Sequence, residues 1–220
     1  MIEADFFSAA AGIAVLVAVV SYFLGCVNGA ILVSKYFYRD DVRKHGSGNA
    51  GLTNFYRTYG AKCALFVIAL DVAKMAAAVA LGAALFSAFF QSAVLGKYFA
   101  GLFCVIGHMF PVTEHFKGGK GILSSGTLII CIDWRVALAG WGAFLILVLL
   151  TRYVSLGSIA AAASVPFSTM YVYPGELRLL SLGTAISVLV IWAHRTNIKR
   201  LLNGTESKFH FHRSKTEDGK

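Results

Sequence analysis

The sequence predicts an all-α polytopic membrane protein with about seven transmembrane helices, its N-terminus outside and its C-terminus cytoplasmic. Three observations predict this. The 220 residues are 57% hydrophobic and 14% charged, with a mean hydropathy of +0.69, whereas a soluble domain is about a quarter charged. Apolar runs recur along the whole chain, several near the ~20 residues that a bilayer crossing needs. The basic residues between those runs fall mostly on one side. One integral-membrane domain, 1–207, takes up the length, and a polar tail, 208–220, is expected to be disordered.

The elements follow in order. MIEADFF lacks the basic start of a signal peptide, and the apolar run after it is too long for a signal core, so it is read as a retained first span. That span, Ser8–Phe37, is interrupted by Gly25-Cys26-Val27-Asn28-Gly29, which predicts a kink or tight helix packing. Asn28 is read as interhelical glue. A polar loop, Tyr38–Ala61, follows. The second span is Lys62–Phe90, in which Asp71 and Lys74 sit one turn apart and are read as an intrahelical ion pair. The third is Val94–Ile106. The fourth, Gly121–Ile132, is short and marked by glycine. The fifth is Val136–Leu150, the sixth Val154–Val172 and the seventh Leu179–Ala193. Five full spans with re-entrant segments are the alternative reading.

With an odd number of spans and a cytoplasmic C-terminus, fifteen basic residues lie on the cytoplasmic side. Only Lys97, Arg135 and Arg178 lie on the other, which is the positive-inside pattern. The same bias accounts for the net charge of +9 without any nucleic-acid partner. The four cysteines form no C-x-x-C pair and read as buried thiols.

Three polar segments carry the chemistry, all on the cytoplasmic side. Gly46–Arg57 reads GSGNAGLTNFYR; helix capping explains one or two of its residues, while Arg57 suits bidentate phosphate recognition. Gly107–Gly121 reads GHMFPVTEHFKGGKG, and its Lys117-Gly118-Gly119-Lys120-Gly121 has the chemistry of an anion cradle, with close backbone approach and two point charges. It is not a Walker A loop, because Gly121 stands where Ser or Thr is required. His108, Glu114 and His115 match no standard zinc spacing, and Pro111 argues against one continuous helix there. His194–Glu206 reads HRTNIKRLLNGTE; as a helix it sets His194, Asn197 and Leu201 on one face, with Glu206 orienting His194 or pairing with an arginine. A smaller piece, Arg152–Ser158, brings Ser155 to the same side.

Together these segments resemble the bacterial acylphosphate-dependent glycerol-3-phosphate acyltransferases, the PlsY family. That family's motifs look like GSGNxGATNxxR, GHxFPxxxxFKGGKG and HRxNIxRLxxGxE, with an R-Y-x-S-x-x-S piece between the last two. All four appear here in order. Leu52 replaces an alanine, and Ile122-Leu123-Ser124 replaces V-A-T. The resemblance implies transfer of an acyl group from acyl phosphate to the 1-hydroxyl of glycerol 3-phosphate, giving lysophosphatidic acid and phosphate at the bacterial inner membrane. It implies no metal and no cofactor, and a monomer suffices for one site.

Acyl phosphate is already activated, so positioning and charge stabilisation are what the protein must supply. The expected donor contacts are the backbone N–H groups of Gly118, Gly119 and Gly121 with Lys117 and Lys120. The expected contacts to the glycerol 3-phosphate phosphate are Arg57, Lys120, Ser155 and Asn197. Ser47, Asn49, Thr53 and Asn54 shape the site around the glycerol hydroxyls, and His108, Arg195 and Glu206 complete the substrate contacts. His194 is the general-base candidate, grouped with Asn197, Lys120 and Ser47 as catalytic; a substrate phosphate oxygen is the rival base. No histidine is followed at the fifth position by aspartate, which excludes the His-x-x-x-x-Asp acyltransferases. An organic-anion transporter is the non-enzyme alternative, and no internal repeat supports it.

Overall fold

The first apolar run folds as two helices, α1 (Ile2–Cys26) and α2 (Gly29–Tyr38), broken inside the predicted glycine segment. The structure, a computed structural model, describes residues 2–209; all but the first two residues of the predicted disordered tail lie outside them. Asn28 caps α2, accepting from Ile31 N at 3.0 Å, while its Nδ2 donates to Ala50 O at 3.1 Å. It thus joins the break to the first polar loop.

Eight further α-helices complete the described chain: α3 (Leu52–Tyr59), α4 (Ala64–Phe90), α5 (Ala93–Met109), α6 (Ile122–Ile132), α7 (Trp134–Thr151), α8 (Val154–Val172), α9 (Leu177–Ala193) and α10 (Arg195–Leu202). Each of the seven predicted spans corresponds to a helix or, for the first, a broken pair. Four are long and apolar enough to cross a membrane by themselves: Ala9–Tyr38, α4, Ala93–Glu114 and α7. A fifth arises if α9 and α10, bent by 57°, are taken together. The remaining helices fall short for readable reasons. α6 has 11 residues, about 16 Å at 1.5 Å per residue, roughly half a hydrocarbon core. α8 is long enough, but Ser155, Ser158, Ser164, Ser168 and Thr169 dilute its hydropathy.

Packing follows the small residues, as it must where lipid offers no hydrophobic drive. A Cβ on Gly25 would overlap the Cys104 carbonyl, and one on Gly107 the Tyr22 carbonyl, so α1 and α5 touch backbone to backbone. The core holds Met75, Tyr98, Val105, Leu128 and Val190, with the Tyr98 hydroxyl bonded to Thr169 Oγ1 at 2.6 Å. Asp71 and Lys74 form the predicted ion pair, at 2.7 Å. The cysteines are free thiols, three of them buried.

Candidate active site

The first polar loop is built around one side chain. Asn54 Nδ2 faces the carbonyls of Val42, His45 and Asn49 at 3.0–3.1 Å, and its Oδ1 accepts from Ser47 N at 3.0 Å. Gly46, at φ +54, passes so close to Asn54 Oδ1 that a side chain there would collide. With Asn54 as the hub, Ser47, Asn49, Thr53 and Arg57 are left on the rim, the last two one turn apart on α3. Asn54 lines the cavity, but its amide is committed to holding the loop.

The second loop leaves α5 at Phe110, whose carbonyl accepts from the Tyr22 hydroxyl at 2.8 Å. Glu114 ties it to α2 and to the first loop by ion pairs of 2.8 Å to Lys35 and Arg43. Gly118 N donates to Met109 O and Gly119 N to His108 O, each at 3.1 Å. This corrects the expected cradle: those N–H groups are spent on the end of α5 and are not offered to an anion. Gly121 lines none of the three cavities described below; at φ +77 it turns the chain into α6, whose first N–H groups lack helical acceptors. His108 is a second correction. It is 3% exposed, lies beneath Gly119 and lines none of those cavities, so it is no substrate contact here.

The third segment forms because α9 stops at His194 and the chain turns into α10. His194 Nδ1 lies 2.8 Å from Val190 O. A carbonyl only accepts, so Nδ1 carries the proton and Nε2 keeps the lone pair. Glu206 returns beside it: Oε1 accepts from Ser155 Oγ and Asn197 Nδ2, each at 2.7 Å, and Oε2 from Arg200 Nε at 2.7 Å. Of the two expected roles for Glu206, pairing with an arginine is the one found. Lys120 Nζ donates to Asn197 Oδ1.

These parts surround a cavity of about 450 Å³ at one end of the bundle, lined by Ser47, Asn49, Thr53, Arg57, Lys120, Ser155, His194, Asn197 and Glu206 among others. Arg57 donates to Ser207 O at 3.3 Å on its far edge. Lys117, Gly118, Gly119 and Arg195 instead line an adjoining cavity of about 270 Å³, which shares Ser47, Asn49 and Lys120 with the first; Arg195 stacks 4.1 Å over Trp192 there. Arg200 and Ser158 also line the main cavity and were missed as site residues. Arg200 lies three residues after Asn197, hence on the same helix face, and that spacing was the available signal.

Burial, reinforced by the cations Arg200, Arg195 and Arg57, pushes Lys120 down to about 8. Burial likewise pushes His194 down to about 4, with Lys120 adding to it. Burial raises Glu206, but bonds from Arg200, Ser155 and Asn197 outweigh it and hold the carboxyl below its ordinary value.

A third cavity, about 260 Å³, opens from the first through Thr53, Ile122, Val154 and Ser158 and runs between α6, α7 and α8. Its walls are apolar: Ile129, Trp141, Phe144 and Val165 among them. Trp141 Nε1 donates to Gly126 O at 3.1 Å, which satisfies the one polar atom of that ring.

Fold and site define an integral-membrane protein with a cationic cavity and an apolar groove side by side. The family model described as glycerol-3-phosphate acyltransferase matches residues 15–204, and the chain belongs to that family. It is 40% identical over 196 residues to the glycerol-3-phosphate acyltransferase of Thermoanaerobacter pseudethanolicus, covering 89% of this chain and 95% of that one. To the Bacillus subtilis enzyme of the same name it is 35% identical over 193 residues, covering 88% and 96%. A crystal structure of PlsY (YgiH), an integral membrane glycerol 3-phosphate acyltransferase in its glycerol 3-phosphate form, matches with a TM-score of 0.78 at 33% identity, over 90% of this chain and 96% of that chain. The lysophosphatidic acid form of PlsY matches with 0.75 at 32%, with the same coverage.

Proposed function

We propose that this chain transfers a fatty acyl group from acyl phosphate to the 1-hydroxyl of sn-glycerol 3-phosphate, giving lysophosphatidic acid and phosphate. The observation that carries the reading is the junction of the cationic cavity with the apolar groove at Thr53, Ile122, Val154 and Ser158. A product with a phosphate at one end and an acyl chain at the other needs both, in contact. Arg57, Arg200 and Lys120 supply the charge for the glycerol 3-phosphate phosphate. Ser155 and Asn197 line the same cavity: Glu206 takes the Ser155 hydroxyl and one N–H of Asn197, Lys120 takes the Asn197 oxygen, and the second Asn197 N–H remains for the phosphate.

The step balances simply. The glycerol O1 attacks the acyl carbon, the bond from that carbon to the phosphate oxygen breaks, and the O1 proton passes to His194 Nε2 and on to the leaving phosphate. His194 is neutral at physiological pH, since burial holds it near 4, so its Nε2 lone pair is free to accept; the same burial weakens it as a base, and the onward transfer to the leaving phosphate offsets this. The departing phosphate and the adjoining cavity share Lys117 and Lys120. Seven crossings with the site on the cytoplasmic face of the bacterial inner membrane fit the basic-residue bias.

The test is a donor swap on detergent-purified protein with labelled glycerol 3-phosphate and EDTA. Lysophosphatidic acid from palmitoyl phosphate alone is expected. Product from palmitoyl-CoA or palmitoyl-acyl carrier protein instead overturns the donor, and no product from any donor in folded protein overturns the reaction.

A further inference from the structure

Asp71 and Lys74 lie in the N-terminal half of α4 at 1% and 5% exposure, and His108 of α5 meets them at 3%. Charges in the interior of a membrane bundle are expensive and usually have work to do. The pairing of Lys74 with Asp71 explains one contact. Lys74 Nζ also reaches Val27 O at 2.6 Å, His108 Nδ1 at 2.7 Å and Gly25 O at 3.4 Å, while Asp71 Oδ1 accepts from Gly29 N at 3.2 Å. The break between α1 and α2 leaves these backbone groups without helical partners. The ion pair therefore stands in for the missing turn.

Its third contact leads to the active site. An ammonium has only protons to give, so His108 Nδ1 accepts and the ring's own proton sits on Nε2. That edge lies directly under Gly119, where an added Cβ would overlap it and would come within 2.5 Å of Ala50 O. Ala50 O is the atom that Asn28 Nδ2 holds at 3.1 Å, and Gly119 N in turn donates to His108 O at 3.1 Å. The residue before Lys120 thus rests on the His108 ring, and the ring rests on Lys74.

We propose that Lys74 is a positioning residue for acyl transfer: its buried ammonium orients His108, and His108 sets the height of Gly118–Lys120 against the two cavities that flank it. Lys74 lines none of those cavities and acts only through the loop. The inference rests on the reading above that Lys117 and Lys120 hold the phosphate of the acyl donor.

The double variant Asp71→Asn with Lys74→Gln removes both charges together, at the cost of one side-chain atom in length at position 74, so neither charge is left buried alone. The KM for palmitoyl phosphate is expected to rise about tenfold, because misplacing a binding group by a fraction of an ångström is costly, and the KM for glycerol 3-phosphate by a smaller factor, since of this loop only Lys120 faces the cavity of Arg57 and Arg200. A variant with a lower Tm but both KM values unchanged in its folded fraction overturns the proposal. Gly119→Ala, which displaces the loop directly, separates the two failures. If it raises the palmitoyl phosphate KM and the double variant does not, the inference fails and the donor reading stands. If it raises the glycerol 3-phosphate KM instead, the donor reading fails and takes the inference with it. Nitrogen-15 histidine spectra of the unaltered protein need no variant to fold: His108 is expected as the Nε2–H tautomer, and an Nδ1–H form overturns the proposal.

Discussion

The two cavities that meet at Thr53, Ile122, Val154 and Ser158 are built by opposite means. The polar one is made of loops and helix ends, with its acid committed: Glu206 holds Arg200, Ser155 and Asn197. Its cations Arg57 and Lys120 are left facing the space. The apolar one is made of helix walls, and its depth comes from small residues on α7 and α8, Gly140, Ala161 and Ala162. One cavity selects by charge and the other by room. Charge selection is strong per residue and sensitive to pH, whereas room selects by chain length and is blind to pH.

Substitutions can break that contrast, and the largest effect is expected at His194. His194→Ala should lower kcat by roughly 10²–10⁴ with little change in either KM; an unchanged kcat and pH profile would end its role as base and favour the phosphate oxygen. Next is Arg57→Lys, which keeps the charge and loses the fork. It should raise the KM for glycerol 3-phosphate about tenfold, the equivalent of ~1.4 kcal/mol, one charge-assisted hydrogen bond, and leave the palmitoyl phosphate KM alone. In the groove, Ala161→Phe should cost palmitoyl transfer a similar factor, about tenfold as for overpacking, and spare a short acyl phosphate. Equal loss for both chain lengths would mean that the groove does not hold the chain.

The pH dependence sharpens the comparison at lower cost. Lys120 is held near 8, so it is charged below that value and loses its proton above it. The KM for phosphate-bearing substrates should climb several-fold above pH 8, and Lys120→Arg should flatten that limb. The stability sign is the reverse. The folded pKa lies below the ordinary 10.5, so burying the ammonium costs stability below pH 8, and that cost is relieved between 8 and 10.5. The acid limb of kcat/KM should fall near pH 4, where His194 titrates, instead of 6.5. The smallest effect is expected at the tail. Phe209 N donates to Arg152 O at 2.8 Å and its ring lies 5.8 Å from Tyr56; Phe209→Ala should change the glycerol 3-phosphate KM by about twofold, the ~0.5 kcal/mol at the low end for an aromatic pair.

Much of this was legible in residues. The apolar runs located every long helix within a few residues, and Gly25–Gly29 located the break, because helix length and glycine position are local properties. Arg57, Lys120, His194 and Asn197 were legible as a set because cations and amides set against apolar runs are costly unless they bind something. The tertiary structure decided which polar atoms remain free. Gly118 and Gly119 read as donors, yet α5 consumes their N–H groups; Ser155 and Asn197 read as phosphate contacts and line the cavity, where Glu206 holds both; His108 read as a contact and lies buried beneath Gly119. Only the fold joined Lys74 to His108, across 34 residues of sequence, and to the break at Gly25, across 49. The sequence by itself determined the inventory of helices and charges, since both follow from short-range pattern. The assignment of each hydrogen bond depends on which distant groups arrive beside it, and only folding settles that competition.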